Sequence, residues 1–181
     1  MQQNGIDARR VYVAGLSAGG AMAAIVAAAY PEIYAAAGVH SGLAVGAASN
    51  VSGALAAMKS GAKGTAGGAA NTASAVPTIV FHGDQDRTVH PRNGEQVITA
   101  LQGGPGQSVT QRVEQGVARG GRHFTRSIYC SGNGQTIAEH WLVKGAAHAW
   151  SGGHVAGSFT DPKGPDATGE MLRFFLDHPH A

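Results

Sequence analysis

A serine stands at the centre of a short glycine motif that could support nucleophilic catalysis. Gly15 and Gly19 flank Ser17 in the pattern G-x-S-x-G, between a short apolar run and an Ala-rich segment. A nucleophilic serine projects from a sharp strand-to-helix turn, where small neighbours let the backbones pass closely. The motif alone is weakly specific in a chain with 28 glycines, so its flanking elements matter. Ser17 is the candidate nucleophile, and the N–H of Ala18, at the start of the following helix, is the candidate oxyanion donor.

A nucleophilic serine needs a base, and the base needs a carboxylate that orients it. His148 follows the last predicted strand in a Gly/Ala loop, which makes it the candidate base. Asp84 and Asp86 both follow an earlier strand, and each is a candidate for the carboxylate. An Asp in such a turn also commonly bonds the turn backbone, so the two roles remain to be assigned. All these residues lie where a strand passes into a loop, the usual place for active sites in open α/β sheets.

The remaining pattern predicts the elements that must position these residues. The predicted strands are short runs with β-branched or aromatic residues: 11–14, 34–40, 78–82, 124–130 and 136–143. The predicted helices are 21–30, about 51–59, 93–101 and 166–176. Residues 41–75 form a long connection, and 103–121 are predicted to be a loop. Alternating strands and helices predict one α/β domain over 1–181, with a mostly parallel sheet and helices on both faces.

Composition excludes several other classes of protein. The 181 residues are 43% hydrophobic and 13% charged with a net charge of +2, which fits one globular domain. Basic residues are scattered, and those at 119–126 are predicted to lie in a solvated loop, so we expect no nucleic-acid partner. No apolar run approaches the roughly 18 residues that span a membrane. The single cysteine, Cys130, excludes an internal disulfide, and no strong metal-ligand spacing occurs.

The chain resembles the polyhydroxybutyrate depolymerase family of esterases, which is related to feruloyl and acetylxylan esterases. Four segments carry the resemblance in order: VYVAGLSAGGAMA, VFHGDQDRTVHP, HAWSGG and DPKGPDATGEMLRFFL. It extends over residues 6–178 and implies an α/β-hydrolase fold. It also implies hydrolysis of carboxylic esters, with Ser17 as nucleophile, Asp86 as acid and His148 as base, and without a metal or cofactor. The implied substrate is a polyester or an acylated polysaccharide, and the implied location is secreted or periplasmic.

Four residues beside these elements are predicted to contact the substrate: Leu16, His40, Leu43 and Trp150. Leu43 begins the connection at 41–75, which can cover the site in this fold class. His40 also fits a packed histidine at a strand end, and Trp150 also fits a loop anchor, because aromatic residues serve both purposes.

The chain departs from the family pattern before its nucleophile strand. Only ten residues precede Val11, whereas the family has further strands and a His-Gly segment that supplies the other oxyanion donor. We therefore expect the C-terminal part of a longer enzyme, with an unpaired edge on the strand at 11–14. The leading hypothesis is a serine esterase of the polyhydroxybutyrate depolymerase type. The alternatives are a feruloyl or acetylxylan esterase, or an inactive fragment or non-catalytic binding protein.

Overall fold

A computed structural model describes residues 5–62, 75–102 and 108–180, which build a sheet with helices on both faces. The sheet strands are β1 Tyr12–Leu16, β2 Ala36–His40, β3 Thr78–Gly83, β4 Val109–Val117, β5 His123–Ser131 and β6 Thr136–Val143. A short parallel pair is formed by β7 Trp150–Ser151 and β8 Thr160–Asp161. The helices are α1 Ala18–Ala29, α2 Val51–Ser60, α3 Arg92–Leu101 and α4 Ala167–Leu176. Part of the predicted connection at 41–75, residues 63–74, lies outside the described residues.

The strand order is β1-β2-β3-β6-β5-β4, and the first four of these strands run parallel. The hairpin of β5 and β6 is antiparallel, as is the pairing of β4 with β5. The predicted mostly parallel sheet is therefore confirmed. β1 lies at one edge and pairs with β2 from Tyr12↔Ala36 to Leu16↔His40. Among the described residues its other side is unpaired, as predicted. Ala14, in the middle of β1, is exposed.

Two apolar layers hold the helices against the sheet. On one face, Ala24 of α1 and Ile98 of α3 pack with Val39 and Val80 of the central strands. On the other face, Phe174 and its neighbours Met171 and Phe175 on α4 pack against strands β2, β3 and β6. Because β2 and β3 are buried throughout, their carboxyl ends are held firmly from both sides. Those ends carry the residues that follow into the site.

Helix α1 begins earlier than predicted, at Ala18 rather than at residue 21. Two of the three added residues, Gly19 and Gly20, have low helix propensity, so propensity does not explain the early start. Gly20 instead allows the first turn of α1 to pack closely against Gly15 and His40. Pro31 prevents continuation beyond Tyr30. The nucleophile candidate therefore stands directly at the helix N-terminus, with no intervening turn.

The predicted loop at 103–121 is wrong over residues 109–117, which form β4, and its residues 103–107 lie outside the described part of the chain. This strand lies at the edge of the sheet and most of its side chains are exposed, so it lacks the apolar alternation that identifies a strand. The predicted solvated basic loop at 119–126 is correct for Arg119, which is exposed in the turn after β4, and wrong beyond it. Arg126 lies in β5 and donates two hydrogen bonds to Glu139 at 3.0 and 2.7 Å, while Arg122 pairs with Asp161 at 2.7 Å.

Within the described part of the chain, the helices are too short or too polar to cross a membrane.

Candidate active site

Ser17 occupies a strained turn between β1 and α1. Its backbone angles are φ 59° and ψ −119°, outside the regions that a serine prefers. Such a conformation costs on the order of 1–3 kcal/mol and persists where surrounding structure enforces it. The Ser17 hydroxyl makes no capping hydrogen bond to α1. Ala18 begins α1, and the first N–H groups of a helix have no acceptor within the helix.

Close backbone packing explains part of the glycine motif. A Cβ on Gly15 would overlap the carbonyl group of Gly19, and one on Gly20 would lie 2.9 Å from the Gly15 oxygen. A Cβ on Gly19, by contrast, would meet nothing within 4 Å. The turn therefore requires glycine at positions 15 and 20. Position 19 has room for a side chain, because only its backbone carbonyl group lies close to Gly15.

The carboxylate that meets His148 is that of Asp86. Its Oδ2 accepts a hydrogen bond from His148 Nδ1 at 2.7 Å. Its Oδ1 accepts the N–H groups of Thr88 at 2.9 Å and of Val89 at 2.8 Å, which hold the side chain in place. Asp84 instead accepts the Gly145 N–H at 2.6 Å. The geometry thus separates the two candidates: Asp86 forms the hydrogen bond with His148, and Asp84 bonds the loop that precedes His148.

Hydrogen bonds keep Asp86 ionised in spite of its burial. Burial alone would raise the pKa of the Asp86 carboxyl, but hydrogen bonding to His82, the Val89 N–H and His148 outweighs it and holds the pKa well below its ordinary value. The closest partner of His82 is the Val89 carbonyl, at 2.8 Å from Nε2, with Asp86 Oδ2 farther away at 3.5 Å. An ionised Asp86 requires that His148 carry its proton on Nδ1, which leaves Nε2 as the basic nitrogen.

One buried residue contacts both sides of the site. The His40 carbonyl accepts the Ser17 N–H at 2.8 Å, and its ring nitrogen Nε2 accepts the Ser151 N–H at 2.9 Å. Ser151 lies three residues after His148. The two hydrogen bonds therefore bring the turn at Ser17, the candidate nucleophile turn, and residues 148–151, the candidate base segment, to the same corner of the sheet. This corner is the carboxyl end of the parallel strands, where open α/β sheets bind ligands.

The predicted substrate contacts fall into two groups. Leu16, Leu43 and Trp150 are partly exposed beside this corner and remain predictions. His40 is only 1% exposed and both of its ring nitrogens have protein partners, so the predicted substrate contact of His40 is wrong. Its ring stacks against Trp150 with 5.1 Å between centroids, beneath the surface. The contact of Ser151 with His40 was not predicted. The only signal in the sequence was the position of Ser151 in the HAWSGG segment, three residues after His148.

Across residues 5–62, 75–102 and 108–180, His, Cys, Asp and Glu side chains form no group of three or more that could hold a metal ion.

Comparisons with known proteins identify the relatives of this chain. The family model described as Esterase PHB depolymerase matches residues 1–111. Poly(3-hydroxyalkanoate) depolymerase C of Paucimonas lemoignei is 32% identical over 152 residues, covering 79% of this chain and 36% of that protein. The structure of PHB depolymerase from Penicillium funiculosum gives a TM-score of 0.59 at 19% identity, covering 97% of this chain and 54% of that one. Acetyl xylan esterase from Aspergillus awamori gives 0.57 at 18% identity, covering 97% and 62%.

The solved structures establish the fold that these proteins share with this chain, the α/β-hydrolase fold. This chain spans about a third of the length of the curated relative. The family model covers more than half of the chain, including the G-x-S-x-G motif and Asp86. The chain therefore belongs to the PHB depolymerase family of esterases.

Proposed function

We propose that this chain is a serine carboxylic-ester hydrolase of the polyhydroxybutyrate depolymerase type, acting through Ser17, Asp86 and His148. The observation that carries the proposal is the 2.7 Å hydrogen bond between Asp86 Oδ2 and His148 Nδ1. It lies at the sheet corner where Ser17 occupies its strained turn. A nucleophile, an oriented base and an ionised carboxylate are the three groups that acyl transfer requires.

In the first step, Ser17 Oγ attacks the carbonyl carbon of the ester, and its proton passes to His148 Nε2. The carbonyl π electrons move to the oxygen, and the Ala18 N–H donates to the resulting oxyanion. The bond between carbonyl carbon and alkoxy oxygen then breaks. His148 returns its proton to the departing alcohol, which leaves an acyl group on Ser17.

In the second step, water replaces the alcohol. His148 Nε2 removes a proton from the water, whose oxygen attacks the acyl carbon. The tetrahedral intermediate collapses by breaking the bond to Ser17 Oγ, which takes back the proton from His148. Throughout both steps Asp86 stays ionised and stabilises the imidazolium form of His148.

The substrate we propose is a polyester of hydroxyalkanoic acids. The curated relative is a poly(3-hydroxyalkanoate) depolymerase by name. Beside the base segment, the loop between β7 and β8 exposes two large apolar residues, Val155 at 78% and Phe159 at 71%. Apolar side chains beside the site suit an apolar polymer better than a hydrated polysaccharide. A secreted or periplasmic location stays a prediction.

The test is covalent labelling with a fluorophosphonate, followed by intact-protein mass. We expect one label on the parent chain and none on Ser17→Ala. Ser60→Ala, which changes an exposed serine at the end of α2, is the matched control and should label like the parent. A label that persists in Ser17→Ala, or a parent that is folded by circular dichroism and unlabelled, would contradict the proposal and favour a non-catalytic protein.

Product analysis tests the substrate. Incubation with poly(3-hydroxybutyrate) should release 3-hydroxybutyrate or its short oligomers, and the Ser17→Ala variant should release none. Release of acetate from acetylated xylan, or of ferulate from a feruloylated polysaccharide, without action on the polyester would replace the proposed substrate by those alternatives. The triad assignment would survive that result.

A further inference from the structure

His40 lies between the two parts of the catalytic apparatus. It is the last residue of β2, in register with Leu16 on β1 and with Phe81 on β3. Its backbone carbonyl accepts the Ser17 N–H at 2.8 Å, which helps to hold the strained turn. This contact uses only the main chain, so any residue at position 40 can provide it. The side chain therefore has a separate role.

The ring of His40 is held by hydrogen bonds at both nitrogens. Nε2 lies 2.9 Å from the Ser151 N–H, and Nδ1 lies 3.1 Å from the Ser41 hydroxyl. A backbone N–H can only donate, so Nε2 must accept and carries no proton. The ring is therefore neutral with its proton on Nδ1, which is donated to Ser41.

Burial keeps the ring in this state. His40 is stacked between Phe81 at 5.7 Å and Trp150 at 5.1 Å. Burial lowers the pKa of His40 to about 3, helped by the positive charge that His82 and His148 can carry and opposed by Asp86. The imidazole thus stays a hydrogen-bond acceptor over the pH range in which a serine esterase works.

The segment that His40 contacts is the one that carries the base. Ser151 is also fixed through its hydroxyl, which donates to the Pro165 carbonyl at 2.8 Å. Trp150 is tied to α4 by its Nε1–H, which donates to Thr168 Oγ1 at 3.1 Å. His40 is the contact that ties this segment to the strand beside the nucleophile.

We propose that His40 is a positioning residue, whose neutral ring sets the distance between the His148 segment and the Ser17 turn. The inference rests on the proposed esterase function. Without the ring acceptor the Ser151 N–H loses its partner, and the base segment shifts relative to Ser17. A displacement of about 1 Å in a catalytic constellation can cost roughly 100-fold in rate.

Three variants test the role of the ring on p-nitrophenyl butyrate. His40→Leu keeps the backbone carbonyl and removes the acceptor, so kcat should fall roughly 100-fold with KM within about threefold. His40→Gln restores an acceptor near the position of Nε2 and should return kcat to within about tenfold of the parent. His178→Leu, which changes another buried histidine that contacts the Thr136 carbonyl at the opposite end of β6, should leave kcat unchanged per folded molecule.

Equal losses in His40→Leu and His40→Gln, or a full rate in His40→Leu per folded molecule, would overturn the proposal. A second measurement is independent of activity: ¹⁵N-imidazole NMR should show His40 neutral, with its proton on Nδ1, between pH 8 and about pH 4.5. A proton on Nε2, or protonation above pH 6, would also overturn it. An unlabelled parent in the fluorophosphonate assay would contradict the proposed esterase function but not the hydrogen bonds of His40. The NMR measurement would then show whether the His40 ring is neutral with its proton on Nδ1.

Discussion

The two sides of the candidate site are supported very differently. On the acid–base side, Asp86 follows β3, which lies between two neighbouring strands and is buried along its whole length. On the nucleophile side, Ser17 follows β1, which pairs with one neighbour and exposes Ala14. The outer surface of α1 exposes Met22 and Ile25 at 56% and 46%. The surroundings of Asp86 are thus enclosed by the protein interior, whereas the strand before Ser17 is supported from one side.

This contrast teaches that equal substitutions should have unequal effects on the two sides. Changes on the enclosed side should disturb stability and chemistry together, because β3 is buried along its whole length and Asp86 accepts three hydrogen bonds. Changes on the outer surface of α1 should be tolerated, because little packs against it.

The largest effect is expected at the carboxylate. Asp86→Asn should lower the rate of ester hydrolysis about 10⁴-fold, since the amide favours the wrong tautomer of the base. The matched control is Asp84→Asn, which keeps an oxygen for the Gly145 N–H and should stay within about tenfold of the parent. Steady-state rates of both variants check this, and the reverse order of losses would assign the acid to Asp84.

A pair of identical substitutions compares the packing of the two sides. Ile98→Ala on α3, where the side chain is 3% exposed, should lower the free energy of unfolding by about 2–5 kcal/mol. Ile25→Ala on α1, where it is 46% exposed, should cost less than about 1 kcal/mol. Urea denaturation of both variants gives the comparison. Similar losses would mean that the outer surface of α1 is covered in solution.

The glycines of the nucleophile turn should also behave unequally. Gly15→Ala forces a Cβ into the Gly19 carbonyl and should destabilise the protein by about 1–3 kcal/mol. Gly19→Ala meets open space in the first turn of α1 and should be neutral or stabilise by up to about 1 kcal/mol. Denaturation midpoints check both values. A strongly destabilised Gly19→Ala variant would show that the space above α1 is filled.

A further effect is expected from moderate acid, and it should arise on the enclosed side. Burial lowers the pKa of His40 to about 3 and that of His140 to about 4, against an ordinary 6.5. Between these values the unfolded chain binds protons that the folded chain does not. Each histidine should therefore reduce stability by up to about 1.4 kcal/mol per pH unit as pH falls below 6.5.

Carboxylates contribute only at lower pH, because the pKa of Asp86 and that of Glu139 are both held below their ordinary values. Their stabilisation is present above the ordinary pKa values of 3.8 for Asp86 and 4.5 for Glu139, and it is lost as the pH falls below them. Unfolding free energies measured from pH 7 to 4.5 should thus fall steadily, and His140→Leu should flatten the slope. A flat profile in the parent would contradict the assignment of neutral, buried histidines.

The nucleophile turn, the parallel strands and the hairpin were predictable because their signals are local. Ser17 and its flanking glycines are neighbours in the chain, and β-branched runs identify buried strands directly. The edge strand β4 was missed because its polar side chains face solvent, so that its extended structure depends on pairing with β5 and not on its own sequence pattern.

Choices that depend on distant contacts could not be made from the residues alone. Asp84 and Asp86 stand two positions apart in one turn, and only the fold shows which of them meets His148. Likewise, the contact of His40 with Ser151 joins residues 111 positions apart, so no spacing rule could reveal that the histidine is a partner of the base segment.

The two tryptophans of the chain provide intrinsic fluorescence from two different environments. Trp141 is almost fully buried between Phe81 and Phe124, so its emission should report on the folded interior. Trp150 is partly exposed and stacked on His40, so its emission should respond to movement of the base segment. With Trp141 replaced by Phe, stopped-flow fluorescence would follow that segment alone as a substrate or inhibitor arrives.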